Sequence, residues 1–303
     1  MFYVPFRHGR YDVAPGLTKF RARERAPDSQ VFQIDRTFDH FRRAKLAVRQ
    51  EQLDKHYCTS ALSADVRREV VHFIARRLVA EHGELFQWLE SDQLELKCAL
   101  TSQTLALNAN VQQHGYVDAL DAIACQVQED LAVISTESNG RHWLSAAHVC
   151  FPNGWAPAEK VGRSFAAVHE PVAGMAEMNR RGDEFAKIMI GAVDGLVRFA
   201  WGVTFDDELN HHPDRPGTAF NPAQPRAFVR VERQTIRGLP RVGAALFTIR
   251  TYLYDCEQFR TDPALRHSLG AALRSMSPES RVYKGLDEHF AQLVAWIERA
   301  EGT

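Results

Sequence analysis

The chain has almost no net charge: its 303 residues carry 37 Lys and Arg against 38 Asp and Glu, a formal balance of −1. That balance excludes a strongly basic nucleic-acid binder and an acidic solvating tail. Cysteine is sparse. Five are scattered (Cys58, Cys98, Cys125, Cys150, Cys256), with no CxxC pair, which argues against a disulfide frame or a paired-cysteine zinc site and fits reduced thiols in a cytoplasmic protein. Long apolar runs are missing too. The longest candidate, residues 188–201, is interrupted by Asp194 and Arg198, so no membrane span is expected. The first ten residues show no signal-peptide pattern. There is no P-loop, no GxGxxG after a strand, no HExxH and no GxSxG, so a nucleotide enzyme or a serine hydrolase finds no support.

What is present is ordinary globular composition, 45% hydrophobic and 25% charged, with enough length to bury a core without staples. Residues 1–60 read as irregular. A helix is expected over residues 63–89, with Ser63 as N-cap and Val66, Val70, Phe73, Ile74 and Leu78 at helical spacing. A second is expected over 117–129. The period then changes to two: a strand at 131–135, the turn signal Asn139-Gly140, and a strand from Trp143 to Val149. Pro157 suits the first turn of a helix carrying Glu159, Lys160, Phe165 and Val168, with His169 at its end before Pro171. Residues 175–199 read as a long helix and the proline-rich stretch 211–225 as a loop. Residues 228–236 and 245–254 alternate as a β-hairpin, and helices are expected at 262–276 and 279–300. This order predicts an α+β fold with an antiparallel sheet. No flexible linker is evident, so a single domain over 1–303 is expected: a largely helical part at 1–130, a sheet core at 131–260 and closing helices at 261–303.

The chain has 13 histidines. His211-His212 sits in the loop, where adjacent side chains point apart and solvated surface is the simpler reading. His148, on a strand, and His169, at a helix end, each admit two readings. One is a hydrogen-bonded structural residue; the other is a neutral imidazole ligand to iron. The run Arg230–Pro240 is dense in arginine. Alternation puts Arg230, Glu232 and Gln234 on one face and Val231, Arg233 and Thr235 on the other. It reads either as a solvated strand with cross-strand ion pairs or as an anion cradle.

Several segments together resemble one family. These are Val127-Gln-Glu-Asp-Leu131, Val149–Gly162, Val168-His-Glu-Pro-Val172, Arg230–Pro240, Leu246-Phe-Thr-Ile-Arg-Thr-Tyr252 and Tyr283-Lys284, in family order. Their pattern is similar to the haem-dependent oxidative N-demethylases. The resemblance implies a PAS-like antiparallel sheet wrapped by helices at both ends and holding haem b. The implied activity is monooxygenation of a small secondary amine, dimethylamine-like, with O2. Formaldehyde is released, and electrons reach the iron from NADPH through separate flavin (FMN) and iron–sulfur partner proteins. The resemblance implies His169, in the family's His-x-Pro-Val motif, as the iron ligand, with His148 as runner-up or distal group. Lys160, Arg230, Arg233 and Arg237 are implied propionate partners. Glu232 and Tyr252 are implied contacts to the ammonium, by charge and by cation–π attraction. Two positions depart from the family pattern: Ala173 replaces a proline, and Ala200 stands before Trp201 where the family has asparagine. These departures keep open a PAS-type haem sensor and a non-catalytic, haem-free subunit as alternatives.

Overall fold

The hairpin expected from alternation is the spine of the structure. In this computed structural model, which describes residues 3–13, 16–20, 26–89, 94–108 and 114–299, strands β9 (Phe228–Leu239) and β10 (Ala244–Asp255) pair antiparallel along their whole length. Gly243 closes the turn at φ +60°, a left-handed conformation that favours glycine. On one side β10 pairs with β6 (Asp130–Thr136), which forms the expected hairpin with β7 (His142–His148). On the other side β9 pairs with β8 (Leu196–Thr204). Two short edge strands, β1 (Thr18–Lys19) and β2 (Tyr57–Thr59), complete a sheet in the order β1-β8-β9-β10-β6-β7-β2. Numbered from β6, its five long strands lie in the order 2-1-5-4-3. This is the PAS arrangement, and the fold is α+β.

Helices cover both faces. The chain between β7 and β8 forms α4 (Pro157–Lys160), α5 (Phe165–His169), α6 (Ala176–Arg180) and α7 (Gly182–Gly191) on the front. The back carries the segment 28–37, α1 (Phe38–His56), α2 (Ala64–Glu81) and α3 (Ala119–Ala124), with α8 (Glu257–Arg260), α9 (Pro263–Arg274), α10 (Pro278–Tyr283) and α11 (Phe290–Glu298) at the far end. Ser63 caps α2 as expected, accepting from the Val66 N–H at 3.2 Å. The α2 face of Val66, Val70, Ile74 and Leu78 is fully buried. No helix among the described residues is long and apolar enough to cross a membrane.

Six expectations are corrected. The helix expected from Pro157 to His169 is two short ones, α4 and α5, parted around Gly162 at φ +87°. Residues 38–56 are helical rather than irregular; α1 is so charged that its few buried apolar residues (Phe38, Phe41, Val48) leave little periodic signal. The helix begun at Ser63 stops at Glu81, and residues 86–89 instead start a small sheet of β3 (Phe86–Leu89), β4 (Glu95–Cys98) and β5 (Gln103–Ala106). The helix expected at 117–129 is only α3. The helix expected at 175–199 is two, α6 and α7, broken at Arg181 and ending at Gly191, and its last residues enter β8. Gly195 makes that turn at φ +85°, against the Arg237 guanidinium. The final helix is split into α10 and α11 around Gly285, at φ +66°.

Candidate active site: a cavity on the front of the sheet

Register decides which residues meet in front. Partners across an antiparallel ladder point to the same face. Ala200 faces Glu232, Arg198 faces Gln234, Ile249 faces Gln234 and Phe247 faces Ile236. These residues floor a cavity of about 400 Å³ roofed by α4–α7 and the N-terminal residues Tyr11–Val13, within the size range of ligand sites. Val168, Val172, Met175, Met178, Phe185 and Met189 make its roof apolar.

His169 reaches this cavity from the last turn of α5. Its Nδ1 lies 2.8 Å from the Phe165 carbonyl. A carbonyl only accepts, so Nδ1 carries the proton and the Nε2 lone pair remains available. Burial pushes the imidazole below the ordinary histidine range, partly offset by that bond. The ring also packs on Phe165 at 4.2 Å. The Phe165 N–H in turn donates to His142 Nε2 at 3.1 Å, fixing the start of the helix that carries His169. A neutral imidazole whose second nitrogen is tied to a carbonyl is oriented as metal-binding histidines are.

Charge inside the cavity comes from Lys160, Arg163, Arg198 and Lys284 against Asp12, Glu159 and Glu232. Arg198 Nε is buried without a hydrogen-bond partner. Burial pushes Arg198 and Lys284 below their usual ranges, and Glu232 opposes the shift in both. Lys160 is lowered by burial and by Arg163. Glu232 is held in place by Gln234, which donates from Nε2 at 3.0 Å, and by Arg230 Nε at 3.4 Å.

The structure thus brings together three of the residues expected from sequence: His169, Lys160 and Glu232. It places the other five elsewhere. His148 is on the back face. Its Nε2 donates to Asp121 at 3.0 Å, between the Cys125 and Cys150 thiols, and it does not line the cavity. Asp121, Cys125 and His148 are close enough to suggest a metal group, with ligand atoms within 4.8 Å. However, Asp121 already accepts from Arg49 Nε, Arg49 Nη2 and the Val117 N–H as well, so the cluster is a satisfied structural network. Arg233 points to the back, where it donates to the carbonyls of Asp28, Gln30 and Val31. Arg237 is on the back as well, donating to the Asp194 carbonyl at 2.6 Å and stacking on Phe20. Tyr252 is opposite Val231, so it shares the back face, and its hydroxyl donates to Gln33. Arg230 is on the front face, but its guanidinium is consumed by the Phe151 and Leu209 carbonyls and Thr251.

Arg198 and Lys284 line the cavity without having been among the expected site residues. Arg198 lay inside an expected helix, where no face could be assigned. Lys284 belongs to the Tyr283-Lys284 pair that carries part of the resemblance, but its distance along the chain from the sheet hid its destination. A more open depression of about 520 Å³ lies beside Tyr57 and Asp118. There Tyr57 donates to Asp118 at 2.7 Å and Arg67 pairs with the same carboxylate at 3.4 Å.

Residues 22–294 match the family model described as haem-dependent oxidative N-demethylase, alpha subunit-like. The chain belongs to this family. The family's haem is compatible with the cavity on three observations. The roof is apolar, one neutral imidazole presents an open nitrogen, and Lys160 and Arg163 bring positive charge to the lining. The motif residues Gln128, Glu129 and Asp130 serve the scaffold. Asp130 accepts from the Cys150 and Phe151 N–H groups, Glu129 from the Gln33 N–H, and Gln128 from the Asp35 N–H. These bonds tie segment 28–37 and the end of β7 to the sheet.

Proposed function

We propose that this chain is the haem-holding subunit of an oxidative N-demethylase, with His169 Nε2 as the iron ligand. The observation that carries the reading is His169 itself: a cavity-lining imidazole whose tautomer is fixed by the Phe165 carbonyl. Haem would supply oxygen activation. Overall, one oxygen atom enters a methyl C–H bond and the other leaves as water, consuming two electrons and two protons. The resulting carbinolamine divides into amine and formaldehyde. The chain's own residues supply the pocket. Glu232 binds the substrate ammonium, the α5–α7 roof excludes water, and Lys160 with Arg163 neutralises the haem carboxylates. Partner proteins carrying flavin and an iron–sulfur cluster would deliver electrons from NADPH.

The test is an absorption spectrum of the protein expressed with haem precursor, followed by formaldehyde release in the presence of a reductase system. A Soret band corresponding to about one haem per chain is expected, and His169→Ala should lose haem or its axial spectrum, with added imidazole restoring it. A folded wild-type chain that takes up no haem refutes the reading. So does His169→Ala with an unchanged spectrum.

A further inference from the structure

The corner of the cavity around Glu232 is overbuilt for a plain alkylammonium. Glu232 on β9 lies opposite Ala200 on β8, and Arg198, two residues earlier on β8, projects from the same face. Lys284 lies across Gly202. A Cβ built at Gly202 would come within 3.6 Å of the Lys284 Cδ and 3.8 Å of its Nζ. These are ordinary contact distances, so Lys284 rests directly over the floor formed by the small residues Ala200 and Gly202. Arg198 and Lys284 both feel the Glu232 charge and Arg230 Nε lies 3.4 Å from it, so three cations share one carboxylate. A simple amine would satisfy Glu232 and leave Arg198 Nε without a partner in a desolvated site, an unfavourable state. An anionic group on the substrate would complete it, because a guanidinium fork and an ammonium together suit a carboxylate.

Building on the proposed function, we infer that the Glu232–Arg198–Lys284 corner selects an N-methylated amino acid. The substrate ammonium meets Glu232 and its carboxylate meets Arg198 and Lys284. Lys160 and Arg163, on α4 and the turn after it, are left for the haem carboxylates. The departure from the family pattern at Ala200 falls at the register partner of Glu232, where a change of substrate would be accommodated.

The test is calorimetric titration of the haem-loaded full chain with N,N-dimethylglycine, N-methylglycine and dimethylamine, with haem content read separately by absorbance. At least tenfold tighter binding of an N-methylated amino acid than of dimethylamine is expected. Arg198→Met and Lys284→Met should each bring the two classes within about twofold while keeping full haem, and Arg198→Lys should retain most of the preference. Glu232→Gln should weaken both classes. Equal or tighter binding of dimethylamine by wild type overturns the inference and leaves the haem assignment standing. Loss of haem in Arg198→Met and Lys284→Met assigns these cations to the haem carboxylates and also overturns it. A wild-type chain without haem removes the proposed function and this inference together.

Discussion

Replacing Asp121 by Asn separates the two histidine candidates. Asp121 is fully buried, and its partners Arg49 and His148 are 10% and 1% exposed. Burial raises the carboxyl pKa, but the bonds from His148 and Arg49 outweigh it and hold Asp121 at about 2. That is roughly two pK units below the ordinary aspartate value near 3.9, worth about 2.6 kcal/mol at neutral pH. Asn keeps the shape and one acceptor, and Arg49 keeps the Gly115 carbonyl and the Tyr116 ring. A net destabilisation of about 2–3 kcal/mol is therefore expected, roughly 4 °C in Tm for a chain of this size. The sign with pH follows from the depressed folded value. The contribution is complete above about pH 4 and fades as pH falls toward 2, so wild type and Asp121→Asn should converge in acid. The assay is thermal and urea unfolding across pH, with the haem spectrum recorded on the same samples. The spectrum should not change, because His148 and Asp121 lie behind the sheet. Loss of haem at unchanged stability would refute the structural reading of this cluster and return His148 to candidacy as the iron ligand.

Other outcomes are equally specific. Gly238→Ala would place a Cβ 2.2 Å from the Ile190 carbonyl oxygen. Backbone atoms cannot yield there, so α7 must lift from β9 at a cost of about 3 kcal/mol or more, read by urea unfolding. Arg233→Met should cost about 2–4 kcal/mol by stranding the carbonyls of Asp28, Gln30 and Val31, yet retain one haem per chain; haem loss at intact stability would place Arg233 in the site. For the apo chain, the depressed pKa of His169 means the unfolded state binds the extra proton. Stability should therefore rise with pH from the lowered folded value up to about 6.5 and then level off. His169→Gln should shrink that rise, and an unchanged profile would deny that burial depresses this ring.

Much of the architecture was legible in local pattern. The β9–β10 hairpin follows from alternation, the β6–β7 hairpin from Asn139-Gly140, the start of α2 from Ser63 and that of α4 from Pro157. His169 could be placed at a helix end because Pro171 follows it. Elements with weak or misleading periodicity were not legible. α1 is too charged, and β8 follows α7 so closely that an apolar run spanning both mimics one helix. Only Gly191 and Gly195, bracketing three residues, hinted at the break.

The sequence by itself determined the two-face partition of β9, because side chains alternate along any strand. It could not say which face meets a ligand. That choice needed the register with β8 and β10 and the helices stacked in front, and these turn on contacts between residues far apart in the chain. The register put Glu232 in the cavity and sent Arg233, Arg237 and Tyr252 to the back. The closing helices brought Lys284 across Gly202. Residue types and their local order are written in the sequence; which distant side chains share one desolvated space is settled only when the sheet and its helices pack.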